Sequence, residues 1–218
     1  MCNLLRYKDQ MEKAYAAWQF REVRITPKIR FKVSPSEPAP VVSVIDGAPR
    51  ISMMNFGFAT GRGRQMMARG ETVETLPMFK DAFKYRRCLV LAHGFYDSED
   101  MGRYRQPWHI HLKDDGLMCF AALWEARPNE DNFTIVSAPA NRVVGRVIDR
   151  MPVIVPEDQW QQWLDGDAKT ESLKPLLASF PDEPMEAYPV TRMVNQKGFD
   201  DPECIKPIVP EQGDLGLF

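Results

Sequence analysis

The second residue of the chain, Cys2, has the most distinctive chemistry in the sequence. Removal of Met1 would make it the N-terminal residue, with an α-amine of pKa about 7.7 to 8.0 beside a thiol of pKa about 8.5. The amine can condense with an aldehyde, and the thiolate can then add to the imine and close a five-membered thiazolidine ring. The alternative is a cysteine near a fraying terminus that has no chemical role.

A histidine and a carboxylate stand four positions apart in the run LVLAHGFYD, which ends at Asp97. His93 could act as an acid or base, and Asp97 could orient an amine or move a proton. The alternative for His93 is a hydrogen-bonded structural histidine, and the alternative for Asp97 is a solvated turn residue beside 98–100. Both residues are therefore candidates for the polar support of a reactive group.

The segment TGRGRQMMARG, residues 60–70, combines arginines with glycines. This composition predicts a flexible basic loop rather than a helix or strand. Arg62, Arg64 and Arg69 are candidates for contacts with phosphates, and a guanidinium can also stack on a base. The alternative for each arginine by itself is a solvated surface position.

Two histidines and two cysteines allow metal binding to be considered. His109 and His111 alternate with one residue between them, so a strand would place both on one face, where they could bind a metal. No third ligand stands nearby, which favours surface or core residues. Cys88 and Cys119 lie in apolar runs and are expected to be small buried residues, and no CxxC pair occurs. We therefore expect no metal and no cofactor.

Hydrophobic periodicity predicts the elements that must position these residues. Strands are expected at 41–45, 51–58, 87–92, 108–112, 118–124, 133–137, 152–155 and 187–190. Helices are expected at 8–22, 73–86, 140–147, 157–164 and 171–178. Because strands and helices are mixed without a βαβ rhythm, the predicted class is α+β, with an antiparallel β-barrel-like core and flanking helices in a single domain, 1–218.

Composition limits the function classes. The 218 residues are 44% hydrophobic and 27% charged, a globular balance that excludes a disordered chain. The net charge of −2 gives no global positive field, so any contact with nucleic acid must come from a local basic groove. No apolar run has the length of a membrane span, and the N-terminus lacks a secretory signal pattern. We expect a cytoplasmic monomer.

Several segments, in order along the chain, resemble the SOS-response-associated peptidase (SRAP) family. They are MCN at the N-terminus, MFKDAFKYRRCLVLAHGFYD (78–97), Gln106-Pro107, FAALWE (120–125), FTIVSAPAN (133–141), DRMPVIV (149–155) and TRMVNQ with CIKPI (191–208). The resemblance covers residues 2 to 208 and leaves 209–218 as a tail.

The resemblance implies a DNA-repair protein of the damage and SOS response. Its expected partner is single-stranded DNA with abasic sites, to which Cys2 would become covalently linked, and the protein would then be associated with the nucleoid. The enzymatic activity stays open between cross-linking, a lyase step and a thiol autopeptidase that removes Met1. A relative that binds single strands without cross-linking is the alternative.

The chain departs from the family pattern at three polar positions. The family's asparagine, glutamate and histidine are matched here by Met67, Asp97 and Ile148. The family positions that meet the phosphate backbone keep their arginines, at Arg69 and Arg150. We therefore predict a cross-link that forms more slowly, or reverses less readily, than the family pattern implies.

Overall fold

The computed structural model describes residues 4–7, 18, 28–61 and 63–209. Cys2, Arg62 and the segment 210–218 lie outside the described residues, as does the helix predicted at 8–22 apart from Trp18. The described part of the chain contains no helix long and apolar enough to cross a membrane.

Short strands dominate the described residues. The strands are β1 (Leu4–Tyr7), β2 (Arg30–Val33), β3 (Pro38–Ile45), β4 (Ala48–Phe56), β5 (Phe58–Thr60), β6 (Gly63–Gln65), β7 (Met67–Arg69), β8 (Arg87–Ala92), β9 (Gly94–Asp100), β10 (Arg105–Leu112), β11 (Met118–Ala126), β12 (Asp131–Pro139), β13 (Arg150–Pro152) and β14 (Met185–Pro189). The α-helices are α1 (Lys80–Tyr85), α2 (Trp160–Leu164) and α3 (Thr170–Leu173). The 3-10 helices are Val144–Arg146, Glu157–Gln159, Lys174–Leu177, Arg192–Asn195 and Pro202–Ile205.

Five strands close a ring, in the order β3, β4, β12, β11, β8 and back to β3. Four of these pairings are antiparallel, and β4 with β12 is parallel. Alternate side chains of each strand face opposite sides of the sheet, and the strands of the ring supply much of the large apolar core. Helices α1 and α2 contact β8 of the ring. The predicted α+β class with a barrel-like, mainly antiparallel core is confirmed.

The hairpin of β3 and β4 shows how local sequence fixes part of this ring. Asp46 and Gly47 both have positive φ, 53° and 70°, the conformation that suits a two-residue turn between twisted strands. The predicted turn at these residues is confirmed. β3 begins at Pro38, three residues earlier than predicted. Proline is tolerated here because Pro38 and Pro40 precede the residues that pair with β8, so their missing N–H groups remove no hydrogen bond to β8.

A second, fully antiparallel sheet has the strand order β14, β10, β9, β1, β2. Its β9 follows β8 of the ring after one bend residue, His93. The two sheets touch where Phe95 of β9 meets Phe120 of β11 edge to face, with ring centroids 5.9 Å apart. This arrangement places β1, which begins two residues after Cys2, against β9.

Several sequence-based predictions differ from the structure, among them a helix at 140–147 that is reduced to the 3-10 helix Val144–Arg146. Two further differences concern the segments on either side of residue 72. The expected irregular loop at 60–70 is wrong in part, because it contains β6 and β7, and β7 pairs in parallel with β12. The helix expected at 73–86 is limited to α1, and turns occupy the residues before it. In the segment 60–70, pairing of β7 with the distant strand β12 outweighed the local pattern. In the segment 73–86, turns formed where the local pattern indicated a helix.

Candidate functional site

Strand β1 brings the start of the chain beside the candidate carboxylate. Leu4 pairs with Tyr96 and Arg6 pairs with Gly94, so Asp97 directly follows the partner of Leu4. Cys2 itself lies outside the described residues. The chain therefore enters the sheet next to Asp97 two positions after Cys2.

Asp97 is a buried strand residue, 6% exposed, and its Oδ1 accepts a hydrogen bond from the Ser98 backbone N–H at 2.8 Å. It pairs with Trp108 across β9 and β10. The alternative of a solvated turn residue is wrong, because β9 continues to Asp100. A buried carboxylate at this place suits the role of orienting an amine.

His93 lies at the bend between β8 and β9 and is also buried. Its backbone N–H donates to the Arg6 carbonyl at 2.7 Å, and its own carbonyl lies 3.5 Å from Arg6 Nη1. The backbone of His93 is therefore fixed against β1, so the candidate histidine and the candidate carboxylate lie beside the same short strand.

The arginines Arg69 and Arg150 meet at a cavity of about 440 Å³. β7 and β13 both pair with β12, which puts Arg69 opposite Ser137 and Arg150 opposite Pro139. The apolar side chains of Leu76 and Met78 also line this cavity and are partly exposed. The cavity thus combines guanidinium groups with an apolar wall.

Arg150 is held in a fixed orientation. Its two terminal nitrogens bond the Glu71 carboxylate at 2.5 and 2.9 Å, and Nη2 also donates to the Ser137 carbonyl and hydroxyl. The hydrogen bond from Arg150 lowers the pKa of Glu71 below its ordinary value. Arg69 is exposed. The pair therefore offers one exposed guanidinium and one pre-oriented guanidinium whose charge is partly balanced.

Arg64 is half-buried and is held by hydrogen bonds to other parts of the protein. Its guanidinium donates to the Gly57 carbonyl at 2.9 Å, to Asn132 Oδ1 at 2.6 Å and to the Glu130 carboxylate at 2.7 Å. The hydrogen bond from Arg64 lowers the pKa of Glu130. Arg64 is not among the residues that line the cavity of Arg69 and Arg150, and its bond to Asn132 joins β6 to β12.

His109 and His111 are buried core residues whose rings stack, with centroids 4.6 Å apart and an interplanar angle of 13°. Parallel stacked rings do not aim their nitrogens at one shared point, so this pair is not arranged to chelate. His109 Nδ1 lies 3.0 Å from the Tyr188 hydroxyl, which donates to the Ile205 carbonyl. Within the described ranges, no group of three or more histidine, cysteine or acidic side chains could hold a metal.

The protein family follows from a comparison with known proteins. The model of the family described as SOS response associated peptidase (SRAP) matches residues 1–197. This chain belongs to the SRAP family.

Named relatives agree with this membership. The chain is 31% identical over 150 residues to abasic site processing protein YoqW of Bacillus subtilis, a match that covers 66% of this chain and 67% of YoqW. It is 24% identical over 188 residues to abasic site processing protein YedK of Escherichia coli, covering 82% of this chain and 85% of YedK.

Solved structures share the fold. A protein from Bacteroides thetaiotaomicron superposes with a TM-score of 0.81 at 19% identity, covering 95% of this chain and all of that one. A phage-related protein from Bordetella bronchiseptica gives a TM-score of 0.73 at 23% identity, covering 88% of this chain and 95% of that chain. At these identities the likeness concerns the fold.

The SRAP pattern expects polar side chains where this chain has Met67 and Ile148. Met67 is 5% exposed and belongs to the apolar core while it also lines the cavity of Arg69 and Arg150. Ile148 is partly buried and packs against the same core. The side chains of these two residues contribute packing and no hydrogen bond, whereas Asp97 and His93 lie beside β1.

Sequence reasoning missed Arg6, a buried member of β1. Its side chain is 5% exposed and forms an ion pair with Asp115 at 2.6 Å. The available signal was an arginine in an otherwise apolar short strand, since arginine is rarely buried without a partner. The partner could not be named from the sequence, because it stands 109 positions away.

Proposed function

We propose that this protein recognises abasic sites in single-stranded DNA and bonds to them through Cys2 after Met1 is removed. Membership of the SRAP family carries the proposal, together with relatives named abasic site processing proteins. The proposal places the protein in the repair of DNA damage.

The proposed chemistry uses two groups of one residue. The α-amine of Cys2 attacks the open-chain aldehyde of the abasic sugar, and loss of water gives an imine. The Cys2 thiolate then adds to the imine carbon, the nitrogen takes up a proton, and a thiazolidine ring closes. No oxidant or reductant is needed, because the aldehyde carbon keeps the same oxidation level in the imine and in the thiazolidine.

The described residues supply two features that this chemistry needs. Asp97 and His93 lie beside β1, where a carboxylate or imidazole can hold the amine or move its proton. The exposed Arg69 lines a cavity with apolar walls, where its guanidinium can hold a phosphate, and Arg150 lies in the same cavity, oriented by Glu71. Both features support the proposal.

The decisive test mixes the mature protein with a single-stranded oligonucleotide that contains one abasic site. Intact mass spectrometry first verifies that Met1 is absent. We expect an adduct that survives a denaturing gel, and we expect none from Cys2→Ala. An oligonucleotide with a tetrahydrofuran site, which has no aldehyde, is the matched substrate control and should give no adduct.

A matched protein control is Cys204→Ala, which removes a buried thiol far along the chain and should leave the adduct unchanged. Failure of the wild-type protein to form an adduct would reject the covalent mechanism. Retention of Met1 by Cys2→Ala, in a host that removes it from comparable sequences, would show that Cys2 also acts as an autopeptidase.

A second candidate function is non-covalent binding of single strands. The observation in its favour is that Met67 and Ile148, at two of the polar SRAP positions, are apolar and packed against the core. This candidate expects affinity that falls with salt and with Arg69→Ala, and that does not change with Cys2→Ala. The adduct test separates the two candidates directly.

A further inference from the structure

A buried arginine ties β1 to a turn in a distant part of the chain. Arg6 is 4% exposed, and its guanidinium bonds the Asp115 carboxylate through two nitrogens, at 2.6 and 3.1 Å. Two such bonds in parallel fix direction as well as distance. The contact therefore connects the strand that follows Cys2 with the turn that follows β10.

The turn holds Asp115 in place independently of Arg6. Asp115 has a φ of 53°, and its backbone N–H donates to the Leu112 carbonyl at 2.8 Å. Asp114 Oδ1 accepts a hydrogen bond from the Gly116 N–H at 2.9 Å. Glycine would adopt this positive φ more easily than aspartate. The Arg6 ion pair gives a physical reason for a carboxylate here.

Backbone pairing fixes β1 over a short length only, with a regular register against β9 at Leu4, Leu5 and Arg6. The strand has four residues, and its register with β2 is irregular, because Leu5 pairs with Val33 while Tyr7 pairs with Arg30. A slip by one residue would move the strand by about 3.3 Å and turn its side chains to the opposite face. The paired hydrogen bonds between Arg6 and Asp115 can form in one register only.

We propose that the Arg6–Asp115 ion pair positions the nucleophile. The ion pair fixes the register of β1 and hence the place of Cys2 relative to the bound single-stranded DNA. This inference rests on the proposed function. Arg6 acts here as a positioning residue and not as a catalytic one. Bond formation needs the reacting atoms within about 3 to 3.5 Å, and a misplacement of about 1 Å can lower the rate about 100-fold.

The experiment measures the adduct rate constant at saturating abasic-site oligonucleotide and, separately, the oligonucleotide concentration that gives half of this rate. We expect Arg6→Gln and Asp115→Asn to lower the saturating rate constant by about tenfold or more, with the half-saturating concentration unchanged. Asparagine also tolerates positive φ, so Asp115→Asn keeps the turn. Arg6→Lys should recover part of the rate, since it keeps the charge but loses the paired geometry.

Two controls separate positioning from damage to the protein. Glyoxylate, a small aldehyde that diffuses freely, should react with Cys2 equally fast in every variant, because it needs no fixed geometry. Arg127→Gln removes a guanidinium that likewise bonds a carboxylate, that of Glu125 at 2.9 Å, and a carbonyl, that of Ala59 at 3.1 Å. Its adduct rate should equal that of the wild type.

The combined variant Arg6→Gln with Asp115→Asn should be no slower than either single variant, since both remove the same contact. Unchanged saturating rates in Arg6→Gln and Asp115→Asn would overturn the positioning role and leave the proposed function intact. A change confined to the half-saturating concentration, or an equal loss of the glyoxylate reaction, would overturn it as well. Absence of an adduct in wild type would instead reject the proposed function, and the positioning role with it.

Discussion

The closed ring and the second sheet bury different kinds of side chain. The strands of the ring bury mainly apolar groups, such as Phe133 stacked on Phe56 with ring centroids 5.1 Å apart. The second sheet buries titratable groups, including His109 and His111, with Tyr96 beside them. Apolar burial stabilises without regard to direction, whereas buried polar groups require partners in fixed geometry. The comparison suggests that the ring supplies stability and the second sheet supplies fixed positions.

The largest effect is expected inside the ring. Phe133→Ala removes a fully buried aromatic ring of β12 and should lower the free energy of unfolding by about 3 to 5 kcal/mol. Urea unfolding measures this value. The adduct rate of the folded protein should stay at the wild-type level, and a loss of rate at full folding would contradict the division between the two sheets.

The buried cation Arg87, at the start of β8, tests whether a polar group in the ring also contributes to the free energy of unfolding. Arg87 is 5% exposed, and its guanidinium donates to the carbonyls of Phe83, Lys84, Trp163 and Asp165. Arg87→Met leaves these carbonyls without their donor and should lower the free energy of unfolding by about 2 to 4 kcal/mol. A change below about 1 kcal/mol in urea unfolding would show that water replaces the guanidinium.

Close packing in the second sheet can be probed at Gly94. A Cβ atom at this position would lie 2.4 Å from Nε2 of His109, whose Nδ1 is in hydrogen-bonding contact with Tyr188. Gly94→Ala should therefore destabilise the protein by about 1 to 3 kcal/mol in urea unfolding. Gly166→Ala is the control, because nothing lies within 4 Å of its Cβ position. Equal free energies of unfolding for the two variants would show that the His109 ring shifts away from the added methyl group without cost.

The smallest effect concerns pH. Burial lowers the pKa of His109 well below its ordinary value, and His111 and Arg6 lower it further. Below about pH 6.5, His109 takes up a proton in the unfolded chain but stays neutral in the folded chain. The free energy of unfolding therefore falls with falling pH, by up to about 1.4 kcal/mol per pH unit. Urea unfolding at about pH 7.5 and about pH 5.5 should show a smaller decrease for His109→Asn than for wild type. Equal decreases would assign the pH dependence to other groups.

Local sequence predicted those parts of the fold that local forces decide. The turn at Asp46 and Gly47 needs only residues that accept positive φ. The apolar run 87–92 became β8 as expected. Strand β9 was missed because its second half, DSED, is acidic and has no hydrophobic alternation. It exists because β1 and β10 pair with it on both sides.

The candidate site shows the same limit. The sequence singled out Asp97 and His93 but could not tell whether they were exposed, since burial depends on strands that come from elsewhere in the chain. It treated Arg64 and Arg69 as members of one loop. The structure fixes Arg64 on Asn132 and Glu130 and places Arg69 at a cavity with Arg150.

The sequence by itself supplied the hypothesis for Cys2, the order of the SRAP motifs and the turn at Asp46 and Gly47, because these depend on residue type and on near neighbours. Only the tertiary structure decided which polar groups meet. Arg6 and Asp115 are 109 positions apart, and their contact exists because the β1–β9–β10 pairing carries the turn after β10 back to β1. Such a contact depends on the whole sheet, since a strand pair is formed by chain segments whose separation leaves no local pattern.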